Sequence, residues 1–300
     1  MNVRTPVSAH GMAHAALNLG RWAALAACLW TLLLARSEVP PYVIGGTLAA
    51  SAGLLLLVER QRAASSAAAL YLVGFVLWAY LRRFGDETGV PWQYGYVIVL
   101  ERALTGGIPT VWLQQHLHTP GTAGTLDVVT AAVYLSYFLV PHLTALLLWR
   151  CGAAVFRQYV YAVLITAYIG LAVCYAVPTA PPWLAAQAGE IPPVTRIVPE
   201  LVGGEGAAAY REGHELAGVN PVAAMPSLHT ALTVLVATAA WRLRRAAGVA
   251  GAGYAAAMGF ALVYLGEHYT ADVLAGALTA AAGWRAAGVL ALRRGPTGGP

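Results

Sequence analysis

The stretch YLGEHYTADVLAG, residues 264–276, sets a histidine, His268, and a carboxylate, Asp272, four residues apart where one apolar run ends and the next begins. The flanking runs, 249–266 and 270–290, are each close to the roughly 20 residues that carry a helix across a bilayer. A polar pair at such a boundary is expensive to keep in lipid, and ionisable groups in membrane segments mark functional sites.

The rest of the chain has the same character. Of its 300 residues, 59% are hydrophobic and only 10% are charged, with mean hydropathy +0.63. Soluble domains hold about 45–50% apolar and about 25% charged residues. The composition therefore predicts an all-α, polytopic membrane protein. Apolar runs at 17–35, 40–58, 65–81, 126–149, 158–177, 226–243, 249–266 and 270–290 give about eight spans. The first is too long for a signal-peptide core and reads as an uncleaved anchor. Residues 1–125 form an N-terminal unit of helices and an interfacial loop, and residues 126–300 form a catalytic transmembrane core.

Net charge is +5, and every basic residue is an arginine. These arginines sit in pairs and triplets between apolar runs, not on one face interleaved with aromatics, which argues against a nucleic-acid partner. Arg60, Arg62, Arg150, Arg157, Arg242, Arg244, Arg245, Arg293 and Arg294 fall on one side of an eight-span topology, together with both termini. The positive-inside rule makes that side cytoplasmic, so the His229 and His268 stretches face the extracytoplasmic side of a cell membrane. Cys28, Cys151 and Cys174 form no CxxC pair and support neither a disulfide framework nor a thiolate metal site.

Two loops exceed plain connectors. Residues 82–125 alternate Trp, Tyr and apolar residues with a few polar ones, the pattern of segments lying in the interface plane. Both a lipid-facing gate and a simple surface anchor fit them. Residues 178–225 open with PTAPPWLAA and are rich in proline, which shapes a loop by fixing φ, whereas GGEGAAA in their middle reads as disordered.

A second chemical stretch, NPVAAMPSLH at 220–229, heads another apolar run. Pro226 suits a first helical turn, which places Ser227 and His229 at a helix N-terminus, where N–H groups and the dipole favour a phosphate. Ser227 adds a hydroxyl donor, and His229 is placed to protonate a departing oxygen. His268 needs one ring nitrogen held so that the other can attack, and Asp272 is the holder, either one turn along a helix or across a loop. Glu267 binds an acceptor hydroxyl or sits in water. His214, Asn220 and Tyr269 are candidates to line the site.

AMPSLH, followed about forty residues later by GEHYTADVLAG, resembles the second and third signature motifs of the type 2 phosphatidic acid phosphatase superfamily. PTAPPWL together with PSLH and HYxxD is similar to its inositol phosphorylceramide synthase branch and bacterial relatives. The resemblance implies a six-helix membrane core, no metal or other cofactor, and a phosphohistidine mechanism. In it His268 is the nucleophile, Asp272 orients it, and His229 acts as general acid and then base. Two features depart from the phosphatase pattern. The chain has no lysine and no Arg-Pro pair, and Ala261 and Leu262 stand where that pattern has serine and arginine. Both cationic clamps for a phosphate monoester are thus missing, and Arg196 and Arg211 are the replacements at hand. The expectation is a phosphotransferase that moves an inositol-phosphate-like head group between membrane lipids. A lipid phosphate or polyprenyl pyrophosphate phosphatase of the same mechanism, a metal hydrolase and a non-enzymatic lipid transporter are the alternatives.

Overall fold

The computed structural model describes residues 62–84, 89–216 and 220–293; the runs 17–35 and 40–58 lie outside the described residues. Eleven α-helices follow in order among the described residues. They are α1 (Arg62–Leu81), α2 (Gly95–Thr105), α3 (Pro109–Leu117), α4 (Thr125–Ser136), α5 (Val140–Cys151), α6 (Ala153–Ala176), α7 (Pro182–Gln187), α8 (Ile197–Leu216), α9 (Leu228–Leu243), α10 (Arg245–Tyr264) and α11 (Thr270–Arg293). Extended structure among them is limited to isolated bridges from Thr179 to Gln93 and to Ala223. This is an all-α membrane fold.

Among the described residues, four helical segments are long and apolar enough to cross a bilayer: Ala67–Phe84, Ala153–Ala176, Arg245–Tyr264 and Thr270–Ala291. The expected span 126–149 is instead two helices, α4 and α5, bent by 48° and counting as a fifth span only if taken together. Pro141, in the first turn of α5, cannot donate the backbone bond that would continue α4 through this point. With α9 only 16 residues long, the described spans number four or five by length and composition.

α6 is the centre of the bundle, packed against α1, α5, α9 and α11. Its Phe156, Tyr159, Val160 and Val163 are fully buried in one apolar core with Leu235 of α9 and Met258 and Leu262 of α10. A single residue, Gly152, separates α5 from α6, and Arg244 alone separates α9 from α10. Those tight turns carry Arg150, Arg242, Arg244 and Arg245. Because the Thr179 bridges set the end of α6 beside the start of α9, the turns lie at one end of the bundle and the long connections at the other.

Small residues admit the closest helix approaches, since apolar lipid offers no hydrophobic drive to helix association and tight packing must replace it. A Cβ on Gly283 of α11 would stand 2.2 Å from Thr166 Oγ1 of α6, and one on Gly276 would stand 2.2 Å from the carbonyl oxygen of Ser227. The second contact is with backbone at the entrance to α9, and no side chain can swing away to relieve it. Gly276→Ala is therefore expected to destabilise the fold by about 1–3 kcal/mol and to move His229 away from His268. Thermal unfolding in detergent, read beside turnover, checks both effects.

The 178–225 loop departs from its expectation. Its middle is helix α8, interrupted only at Gly203 and Gly204, whose φ values of 55° and 37° suit glycine. GGEGAAA is thus a break between two helical pieces, because the flanking residues are helix formers packed on α4. The 82–125 segment folds into α2 and α3, which pack on α11 and α10 and leave Val99, Leu104 and Trp112 exposed.

Candidate active site

His229 and His268 meet at the end of the bundle that carries the long connections. His229 Nδ1 lies 3.3 Å from His268 Nε2, and His268 Nδ1 lies 3.4 Å from Asp272 Oδ2. The second distance is an ion-pair separation, longer than a good hydrogen bond. The three side chains form one line, from an imidazole through a second imidazole to a carboxylate. His268 is 5% exposed and Asp272 fully buried.

Local chemistry explains the placement. α11 starts at Thr270, so His268 and Asp272 do not share a helical face and meet across the entering loop. A helix N-terminus leaves its first N–H groups without partners. Here carboxylates take them: Asp272 Oδ2 accepts from Tyr269 N–H at 2.8 Å, while Glu101 of α2 accepts from Thr270 N–H at 2.9 Å and Ala271 N–H at 2.8 Å. Asp272 thus reaches back as the acid of a capping box does. The same oxygen faces His268. Glu101 is fully buried and ties α2 to the segment leading from His268 to Asp272.

α9 is set by a cap of its own. Ser227 is the N-cap residue, its hydroxyl accepting from Thr230 N–H at 3.3 Å and from the Thr230 hydroxyl at 3.2 Å. Pro226 consequently precedes the cap and lies outside the first turn where the sequence reading put it. Ser227 is fully buried beneath Gly276, and its own N–H donates to the Asp272 carbonyl at 3.0 Å, so this cap also fixes α9 to α11. His229 follows in the first turn, at the positive end of the α9 dipole. Its ring lies against Tyr137 and Tyr134 of the α4 region, with centroids 4.3 and 5.1 Å away.

Arg196 stands beside this array. Its Nε donates to Glu267 Oε1 at 2.8 Å and a terminal nitrogen donates to Oε2 at 3.2 Å, a fork that joins it to the residue preceding His268. The guanidinium also lies over the rings of Trp183, at 4.7 Å, and Tyr210, at 5.4 Å. Burial alone would lower its pKa, but the Glu267 carboxylate more than offsets that and holds it above the usual value. Two of its five N–H donors serve Glu267, which leaves three for an anion.

The other candidates are placed as follows. Arg211 is exposed on α8 and forms no ion pair among the described residues. Glu267 is buried against Arg196, neither solvated nor free. Tyr269 turns its side chain into an apolar cluster with Val97, Ile98 and Ala185 and offers the site only its N–H. Asn220 shapes its own loop, accepting from Val222 N–H at 2.9 Å and donating to Cys174 Sγ at 3.3 Å. His214 falls within α8, and its side chain lies outside the described residues. Leu262, at the expected arginine position, is fully buried in the apolar core, and its carbonyl accepts from His268 N–H at 3.2 Å.

Sequence reasoning missed Glu101, Gln114, Tyr134, Tyr137 and a second buried cluster. In that cluster His118 Nδ1 lies 3.2 Å from Asp127 Oδ1, His118 Nε2 lies 3.4 Å from Glu200 Oε2, and the Tyr264 hydroxyl donates to Asp127. Among the described residues no group of three or more His, Cys, Asp or Glu is arranged to hold a metal ion.

Helices of spanning length, with two histidines and an aspartate aligned at one end, define a multi-pass membrane protein with a candidate acid–base and nucleophile site. A family model described as the PAP2 superfamily matches residues 95–286, taking in α2 and α3 as well as both histidines. The chain belongs to the PAP2 superfamily, a family of phosphatases and phosphotransferases. Comparison with curated proteins and with solved structures gives no significant match.

Proposed function

We propose that this protein is a membrane phosphotransferase that moves an inositol-phosphate-like head group from one lipid to another through a phosphohistidine on His268. The aligned array of His229, His268 and Asp272 carries the reading. With the Nδ1 proton of His268 directed at Asp272, the lone pair of Nε2 is left free to attack. In the ring-to-ring contact the His229 Nδ1 proton meets that lone pair, and it turns to the leaving oxygen once substrate separates the rings. A phosphorus about 3–3.5 Å from Nε2 needs the space that the imidazole of His229 now fills. Substrate binding therefore replaces the direct contact between the rings.

In the first half-reaction the bond from Nε2 to phosphorus forms, the bond to the leaving lipid oxygen breaks, and His229 gives that oxygen a proton. Asp272 stabilises the resulting imidazolium. In the second half-reaction His229 takes the proton of an acceptor hydroxyl, that oxygen attacks phosphorus, and His268 is released. Arg196 holds the phosphate oxygens as charge develops. No step calls for a metal.

Transfer is favoured over hydrolysis because Leu262 leaves the terminal monoester without an arginine from α10, and Glu267 already neutralises part of the charge on Arg196. The same array performs hydrolysis when water is the acceptor. Incubation with phosphatidylinositol plus a lipid bearing a free hydroxyl and, separately, with phosphatidic acid distinguishes the two. Inositol phosphate recovered on the acceptor lipid, with little soluble inositol phosphate from the first incubation and little inorganic phosphate from the second, unchanged by a chelator, is the expected result. Stoichiometric phosphate release would make the protein a phosphatase.

A further inference from the structure

Gln114, on α3, is 93% buried beneath the site and spends its carboxamide on two backbone segments. Its Oε1 accepts from Thr195 N–H at 2.8 Å, and its Nε2 donates to the Thr195 carbonyl at 2.9 Å and to the Tyr264 carbonyl at 2.8 Å. Thr195 directly precedes Arg196. Tyr264 opens the turn that leads through Gly266 and Glu267 to His268.

The junction has no slack. Gly266 sits at φ 82°, where a Cβ would stand 2.9 Å from the Thr195 carbonyl oxygen and 3.4 Å from Gln114 Nε2. Ile197 N–H reaches the Leu265 carbonyl at 3.4 Å, and Trp183 N–H reaches the Gly266 carbonyl at 3.3 Å. The 194–197 and 264–268 segments therefore run side by side with Gln114 bonded to both. The fork between Arg196 and Glu267 closes the same junction from the side of the histidines.

We infer that Gln114 is a positioning residue for phosphate binding: it fixes the segment bearing Arg196 against the turn bearing Glu267 and His268. One acceptor and two donors are needed here, and only a carboxamide supplies both. Leucine fills the volume but leaves one N–H and two carbonyls without partners. A glutamate carboxylate would face two carbonyl oxygens. In either variant the two segments are free to shift, and Arg196 loses its fixed distance from His268. The inference rests on the proposed role of Arg196.

Orthovanadate, which takes the five-coordinate geometry of phosphoryl transfer, is a probe that requires no knowledge of the natural lipid. Its dissociation constant follows from the concentration dependence of thermal stabilisation of the full chain in detergent. Arg196→Gln is expected to weaken vanadate binding about tenfold or more, and Gln114→Leu and Gln114→Glu by a similar factor. The double variant Arg196→Gln with Gln114→Leu should bind no more weakly than Arg196→Gln alone, since effects transmitted through one residue do not add.

Additive losses in the double variant, or a Gln114→Leu protein with a lowered melting temperature but unchanged vanadate affinity, overturn the inference and leave the role of Arg196 standing. Unchanged affinity in Arg196→Gln, or no vanadate binding by the wild type, removes the phosphate clamp itself. If Gln114→Leu does not fold, Gln114→Met, unbranched and of similar length, supplies the same comparison.

Discussion

Replacing His268 by alanine is expected to lower turnover by roughly 10⁴-fold or more and to abolish an acid-labile phosphoenzyme. His268 has the Asp272 carboxylate beside its Nδ1, which leaves its Nε2 directed toward His229. Without it, no neighbouring group can form the bond to phosphorus. A His268→Gln variant, closer in volume, separates lost chemistry from lost packing: both variants should be inactive, and the glutamine variant should keep the wild-type melting temperature. His229→Ala behaves differently. It should form phosphoenzyme about 10²–10⁴-fold more slowly from a lipid substrate, whose alkoxide leaving group needs a proton, but little more slowly from p-nitrophenyl phosphate, whose leaving group does not. With the base of the second half-reaction gone, the His229 variant should also accumulate phosphoenzyme from that probe. Full turnover in His268→Ala would sink the covalent mechanism.

Much of this site was legible in the sequence, and the part that was not has a physical reason. His229, His268 and Asp272 stand at span boundaries, where an ionisable group is costly unless it has a function, and that cost is visible in one chain. The family follows from the same two stretches. The partners that fix the array belong to segments remote in sequence and carry no local signature. Glu101 caps α11 from 169 residues away, and Gln114 bonds Tyr264 from 150 residues away. Tyr134 and Tyr137 lie in the apolar run 126–149, and nothing in such a run tells which aromatic will meet a histidine. The bend between α4 and α5 had a local sign in Pro141, but the run's overall length suggested one continuous span. α8 is the opposite case: a pair of glycines in a charged stretch suggested disorder, and packing on α4 made helix on either side of them.

Asp272 offers the second large effect and a sharper test of its role, because Asp272→Asn and Asp272→Ala should differ. In serine-protease triads the analogous aspartate-to-asparagine change turns an amide N–H toward the histidine and imposes the wrong tautomer, at a cost of about 10⁴ in rate. Here the surroundings oppose that turn. Tyr269 N–H donates to the oxygen that faces His268 Nδ1, and an amide nitrogen in its place would meet two donors. The other oxygen, Oδ1, has no hydrogen-bond partner among the described residues, so that position accepts the amide nitrogen without displacing a bond there. Asparagine at 272 is therefore expected to keep its oxygen toward His268 and to preserve the attacking tautomer. What it loses is the charge that stabilises the imidazolium. A fall of about 10²-fold is expected for Asp272→Asn, against about 10³-fold or more for Asp272→Ala, which loses both charge and orientation and leaves the Tyr269 N–H without a partner. Rates of phosphoenzyme formation, measured beside the melting temperature, decide it. Equal losses in the two variants would mean that Asp272 acts by charge alone, whereas a greater loss in the asparagine variant would show that the amide had turned despite Tyr269.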